Sequence, residues 1–161
     1  MELFNPVAML LAAVSAMVVG FIWYNPKVFG TAWMTAAEMT EEKMKGANMA
    51  KIFGLAFVFA FLLSTALPGI VIHQMGVFSL VGGDPASALP SYEIFITDYG
   101  DAFRTFKHGA FHGVLTGVFI ALPILGTNAL FERKSAKYIF INAGYWIVTL
   151  AVMGAIICGM K

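Results

Sequence analysis

Residues 6–24 read PVAMLLAAVSAMVVGFIWY, without a single Asp, Glu, Lys or Arg. As an α-helix, a run of this length crosses about 30 Å, the thickness of a bilayer's hydrocarbon core. In lipid every backbone N–H and C=O must be paired within the segment, which a helix achieves alone. A β-barrel would instead show strands of about 10 residues alternating apolar and polar; this run is apolar on every face. Asn5-Pro6 supplies an N-cap and a first-turn proline. The head Met1-Glu2-Leu3-Phe4 carries no basic residue, and the run ends at Trp23-Tyr24-Asn25-Pro26 rather than at small residues. It therefore reads as a retained span and not as a signal peptide.

Three more windows, 52–72, 109–131 and 138–160, are equally free of charge. The expected fold is all-α, an integral membrane four-helix bundle with a short interfacial helix in the first connection. Residues 1–161 form one transmembrane domain, with 73–108 as the outer connection. Composition agrees: 60% of the 161 residues are hydrophobic and 12% charged, with a net charge of +1. A soluble domain carries about a quarter charged residues. So little charge excludes a soluble globular enzyme, a disordered chain and a basic nucleic-acid binder.

Basic residues orient the spans. Lys27, Lys43, Lys45 and Lys51 lie in the first connection and Arg133, Lys134 and Lys137 in the third, against Arg104, Lys107 and Lys161 on the opposite side. This bias places both termini outside and both basic connections in the cytoplasm of a bacterial inner membrane. Trp23, Tyr24, Trp33, Tyr138, Tyr145 and Trp146 would form a belt at the inner interface.

Helices in lipid associate through close backbone approach and interhelical hydrogen bonds. Each span carries small residues at spacing four: Ala8, Ala12, Ala16 and Gly20; Ala56, Ala60 and Ser64; Gly109, Gly113 and Gly117; Ala151, Ala155 and Gly159. These ladders predict a tight bundle, or one ladder left for a neighbouring copy. In the first connection, Thr35 to Glu38 has capping-box spacing, and Thr40-Glu41-Glu42 opens a second helical stretch toward Gly46. From about Ser91 the outer connection is expected to turn helical and run on into the third span.

Two polar constellations stand out. His108 and His112 share a helical face, and Asp98, Asp101 and Thr105 would extend it if the helix began earlier. With His73 from the end of span two, these could bind a divalent metal or relay protons; the alternative is histidines bonded to headgroups or water. At the inner ends, Asn25, Thr127, Asn128 and Asn142 come to similar depth. They read as interhelical glue or as a small polar ligand site. Cys158 is alone, and no nucleophile–base pair, P-loop or dinucleotide fingerprint is present.

The stretch from Gly20 through Trp23-Tyr24-Asn25-Pro26 and Phe29-Gly30 to Trp33-Met34 resembles the signature of the domain-of-unknown-function 1761 family. The run from Asn128 through Phe131-Glu132-Arg133-Lys134 to Asn142-Ala143-Gly144-Tyr145-Trp146 is similar to its C-terminal half. The resemblance implies a small bacterial four-span membrane protein and supplies no activity. The expected function is non-enzymatic, exerted through self-association or a membrane-protein partner in the bilayer, with no nucleic acid and no cofactor. The alternatives are a small transporter or channel for a polar solute or ion, and a divalent-metal protein using His108 and His112.

Overall fold

The computed structural model describes residues 3–161; Met1 and Glu2, part of the head weighed against a signal peptide, lie outside the described residues. The described chain is helical, with no strand: α1 (Pro6–Trp23), α2 (Thr31–Ala36), α3 (Glu41–Met44), α4 (Met49–Ala66), α5 (Pro68–Val71), α6 (Gln74–Leu80), α7 (Pro90–Tyr99), α8 (Phe106–Thr116), α9 (Leu122–Phe131) and α10 (Ala136–Gly159). Four stretches are long and apolar enough to cross a membrane: α1, Met49–Val71, Phe106–Phe131 and α10.

The start of each long helix is written locally. Asn5 accepts the Ala8 N–H at 3.0 Å, Asn48 the Lys51 N–H at 3.0 Å, Thr105 the His108 N–H at 3.1 Å, and Ser135 the Tyr138 N–H at 3.2 Å. These caps satisfy amides that a helix leaves unpaired at its first turn. The two prolines inside spans act differently. Pro68 opens α5 after the helix breaks at Leu67. Pro123 would clash with a carbonyl one turn earlier, and there the α8–α9 rod widens into a π turn, Gly117–Ala121.

Burial is inverted relative to a soluble protein. Large apolar side chains face outward, with Phe21 79% and Phe131 88% exposed, while Ala12, Ala13 and Ala16 are sealed inside. Acyl chains solvate the large residues, so apolar burial does not drive assembly and small residues set the helix spacing. α10 lies centrally, packed between α1 and α8; α1 in turn packs on α4, and α5 closes one end against α8 and α10. Along the α8–α10 contact a side chain at Gly109 would overlap the Gly154 carbonyl, and one at Gly113 the Leu150 carbonyl. At Gly117 a Cβ would sit 2.6 Å from the Ile147 Cα. Gly20 has looser company, the Tyr145 ring at 3.5 Å.

Two local expectations need correction. Thr35 caps nothing: it lies within α2, because the chain is already helical when it leaves a π turn at Pro26–Gly30, and its hydroxyl donates to the Thr31 carbonyl at 3.1 Å. Thr40 does cap α3, accepting the Lys43 N–H at 3.2 Å. The second correction bears on the site. α7 begins at Pro90 as a helix but stops at Tyr99, and the chain turns before Thr105 caps α8. Within that turn Phe103 has φ +62°, a left-handed conformation that side chains rarely adopt.

Candidate metal centre

Residues at i and i+4 of a helix share a face, and α8 presents His108 and His112 in this way. His73 reaches them because α5 ends at Val71 and Ile72 is extended, turning the chain so that His73 heads α6. Nε2 of His73 and Nε2 of His108 lie 2.7 Å apart in a hydrogen bond. The ligating nitrogens of all three rings fall within 4.8 Å of one another, the one such group among the described residues. Ring centroids are separated by 4.9 Å (His73–His108), 5.0 Å (His73–His112) and 4.5 Å (His108–His112).

A tetrahedral ion with nitrogens at about 2.0–2.1 Å needs them about 3.3 Å apart. The closest pair would open by about half an ångström as its shared proton gives way to the ion. Three imidazoles without a carboxylate suit zinc and its transition-metal neighbours rather than magnesium or calcium. His108 and His112 are half-buried and His73 is exposed, so the centre is open on one side. The Phe103 ring covers part of it, 5.5 Å from His73 and 5.0 Å from His108.

The carboxylates expected beside the histidines are elsewhere. Asp101 pairs with Lys161 at 2.9 Å, and this hydrogen-bonded ammonium holds its carboxyl below the usual range. Asp98 and Asp101 line a separate cavity of about 460 Å³ with Arg104 and Lys161. The helical face carrying the histidines is not extended by Asp98, Asp101 and Thr105, because α7 ends before α8 begins and Thr105 is a cap.

Three residues here have roles that their sequence context does not announce. Arg104 is one of the outer basic residues in the sequence, yet it is buried; Nε donates to the Cys158 carbonyl at 3.1 Å and Nη2 to the Met160 carbonyl at 3.3 Å. It thereby satisfies carbonyls left open at the end of α10. Gln74 is buried next to His73, donating from Nε2 to the Tyr99 and Ala102 carbonyls at 2.7 and 2.8 Å. Its Oε1 is buried with no partner. Phe103 bears no polar signal at all, and only its backbone angle marks it. Gln74 and Phe103 help line an apolar cavity of about 180 Å³ between α6 and α7, walled also by Val77, Phe95, Tyr99 and Ala102 and meeting the histidine cluster at His73 and Phe103.

The amide cluster at the opposite end is rearranged too. Asn25 caps the π turn, accepting the Lys27 N–H at 3.0 Å, so its side chain is spent locally. Its neighbour Tyr24 reaches across instead, donating to Asn142 Oδ1 at 2.9 Å. Asn142 Nδ2 donates to the Tyr138 carbonyl at 2.8 Å, and Trp23 Nε1 to the Ile141 carbonyl at 3.0 Å. Asn128 and Asn142 line a cavity of about 190 Å³ with Glu132 and Trp146; Thr127 is exposed and not among its lining residues. A side chain at Gly30 would overlap the Tyr24 carbonyl, and one at Gly144 would come within 2.9 Å of the Trp23 ring. The two quoted motifs are thus the two halves of one joint.

A family model described as protein of unknown function (DUF1761) matches residues 7–158. No curated protein and no solved structure matches the chain.

Proposed function

This chain belongs to the DUF1761 family, and we propose that it is a multi-pass protein of the bacterial inner membrane that binds a divalent transition-metal ion at His73, His108 and His112. One observation carries the proposal: three imidazoles, one from the corner after span two and two from span three, converge with their ligand nitrogens within 4.8 Å of one another. The hydrogen bond between His73 and His108 accounts for two of the rings. The His112 ring lies against both, its centroid 5.0 Å from His73 and 4.5 Å from His108, and brings a third imidazole to the cluster.

The distribution of basic residues supports an orientation with the histidines toward the outside, where the ion would enter from water through the exposed side of His73. Bound there, it would tie the corner after span two to the start of span three. We assign no catalysis to it. The polar joint around Tyr24 and Asn142 serves adhesion between α1 and α10. The small-residue ladders of α1 and α8 face helices of the same chain, and on α4, which packs on α1, Ala60 and Ser64 are buried as well.

The test is cobalt or zinc binding to detergent-purified protein, with His73→Ala, His108→Ala and His112→Ala. One ion per chain is expected. Each variant should weaken binding by about a hundredfold or more, since losing even an outer-shell partner costs about 10–100-fold. Equal binding by the triple variant would end the proposal.

A further inference from the structure

An ion held by three imidazoles retains one open position and two uncompensated positive charges. Close to lipid, where charge is poorly solvated, that position favours an anion. The chain does not supply one: Asp101 is engaged by Lys161, and no carboxylate belongs to the histidine group among the described residues. Beside the centre lies the cavity between α6 and α7, sharing His73 and Phe103 with it. Its volume of about 180 Å³ is close to the roughly 150 Å³ that holds a benzene ring in an engineered protein cavity.

The cavity is built rather than incidental. Gln74 spends both amide protons on the Tyr99 and Ala102 carbonyls, fixing the end of α7 against the start of α6. The Phe103 carbonyl accepts from Cys158 Sγ at 3.4 Å, which helps anchor a left-handed residue whose ring lies against His73 and His108 and, with His73, lines the cavity. We propose that the open metal position takes the carboxylate of a small organic acid whose apolar body, of about six carbons, occupies this cavity. The inference rests on the metal reading above.

The experiment uses the cobalt-loaded full-length protein in detergent, following the visible bands of cobalt during titration with acetate or benzoate. Benzoate should perturb the bands at about tenfold lower concentration than acetate, the effect of about 1.4 kcal/mol of additional apolar burial. Val77→Phe, which fills the cavity from α6 and leaves all three histidines in the chain, should keep the cobalt spectrum and the acetate response. It should bring benzoate to within about twofold of acetate, a difference worth only about 0.4 kcal/mol. Ala102→Leu, filling the cavity from the other side, should do the same. Equal responses to both acids in the unaltered protein overturn the inference and leave the metal site standing. A benzoate preference that survives both variants is partition into micelles and also overturns it. Failure to bind cobalt removes the metal reading and, with it, this one.

Discussion

Gly113→Ala is the sharpest test of how α8 meets α10. A Cβ at this position would overlap the Leu150 carbonyl and stand 2.7 Å from the Ala151 Cα. Carbon atoms rest at about 3.5–4.0 Å, so α8 must retreat from α10 by about 1 Å. The obstacles are backbone atoms and cannot swing aside. A retreat of that size forfeits a quarter to a half of each dispersion contact along the interface, and in lipid no gain in apolar burial compensates. An added methyl in a packed interior costs about 1–3 kcal/mol, while the better helix propensity of alanine returns at most about 1 kcal/mol. With that return subtracted, the net expectation is a destabilisation of about 0–2 kcal/mol, against the gain expected of the control. Gly54→Ala is the matched control, because nothing lies within 4 Å of its Cβ position; it should be neutral or gain up to about 1 kcal/mol. Equilibrium unfolding in mixed micelles, followed by near-ultraviolet circular dichroism, would measure both. Metal affinity supplies a second readout, since His112 adjoins Gly113 and would be displaced with it. If Gly113→Ala proves as stable as Gly54→Ala, the two backbones are not in contact and the packing described here is wrong.

Other substitutions probe the remaining joints. Tyr24→Phe leaves the Asn142 side-chain oxygen Oδ1 without this donor and should cost about 1–3 kcal/mol in the same unfolding assay. Arg104→Met removes charged donors from the Cys158 and Met160 carbonyls; about 2–4 kcal/mol should be lost, and hydrogen exchange should quicken at the last turn of α10. Asp101→Asn should leave cobalt affinity unchanged, because Asp101 is paired with Lys161 outside the histidine group. The lowered Asp101 pKa means that this ion pair acts above the normal carboxylate range and fades as pH falls through it. Weakened cobalt binding by Asp101→Asn at neutral pH would return the carboxylate to the site.

Much of the molecule is legible from local chemistry. The absence of charge over four long windows determines that the chain is helical and membrane-spanning, because lipid leaves the backbone no other partner. Asn5, Thr40, Asn48, Thr105 and Ser135 are residues of the capping type, each at the start of a helix. His108 and His112 are one helical turn apart, so their common face follows from α-helical geometry alone.

What the tertiary structure decided is which groups meet across the bundle. The approach of His73 depends on a bend at Ile72, and the exclusion of Asp98 and Asp101 on a left-handed turn at Phe103; neither has a periodic signature. Asn25 looked like the partner of Asn142 by depth, yet its own π turn consumed it and Tyr24 made the bond. Arg104 counted as an outer basic residue until the end of α10 came to rest against it. Hydrophobic periodicity reports only whether a position faces lipid or protein. Pairing between spans depends on how closely their backbones approach, and that distance arises from the glycines of both helices together.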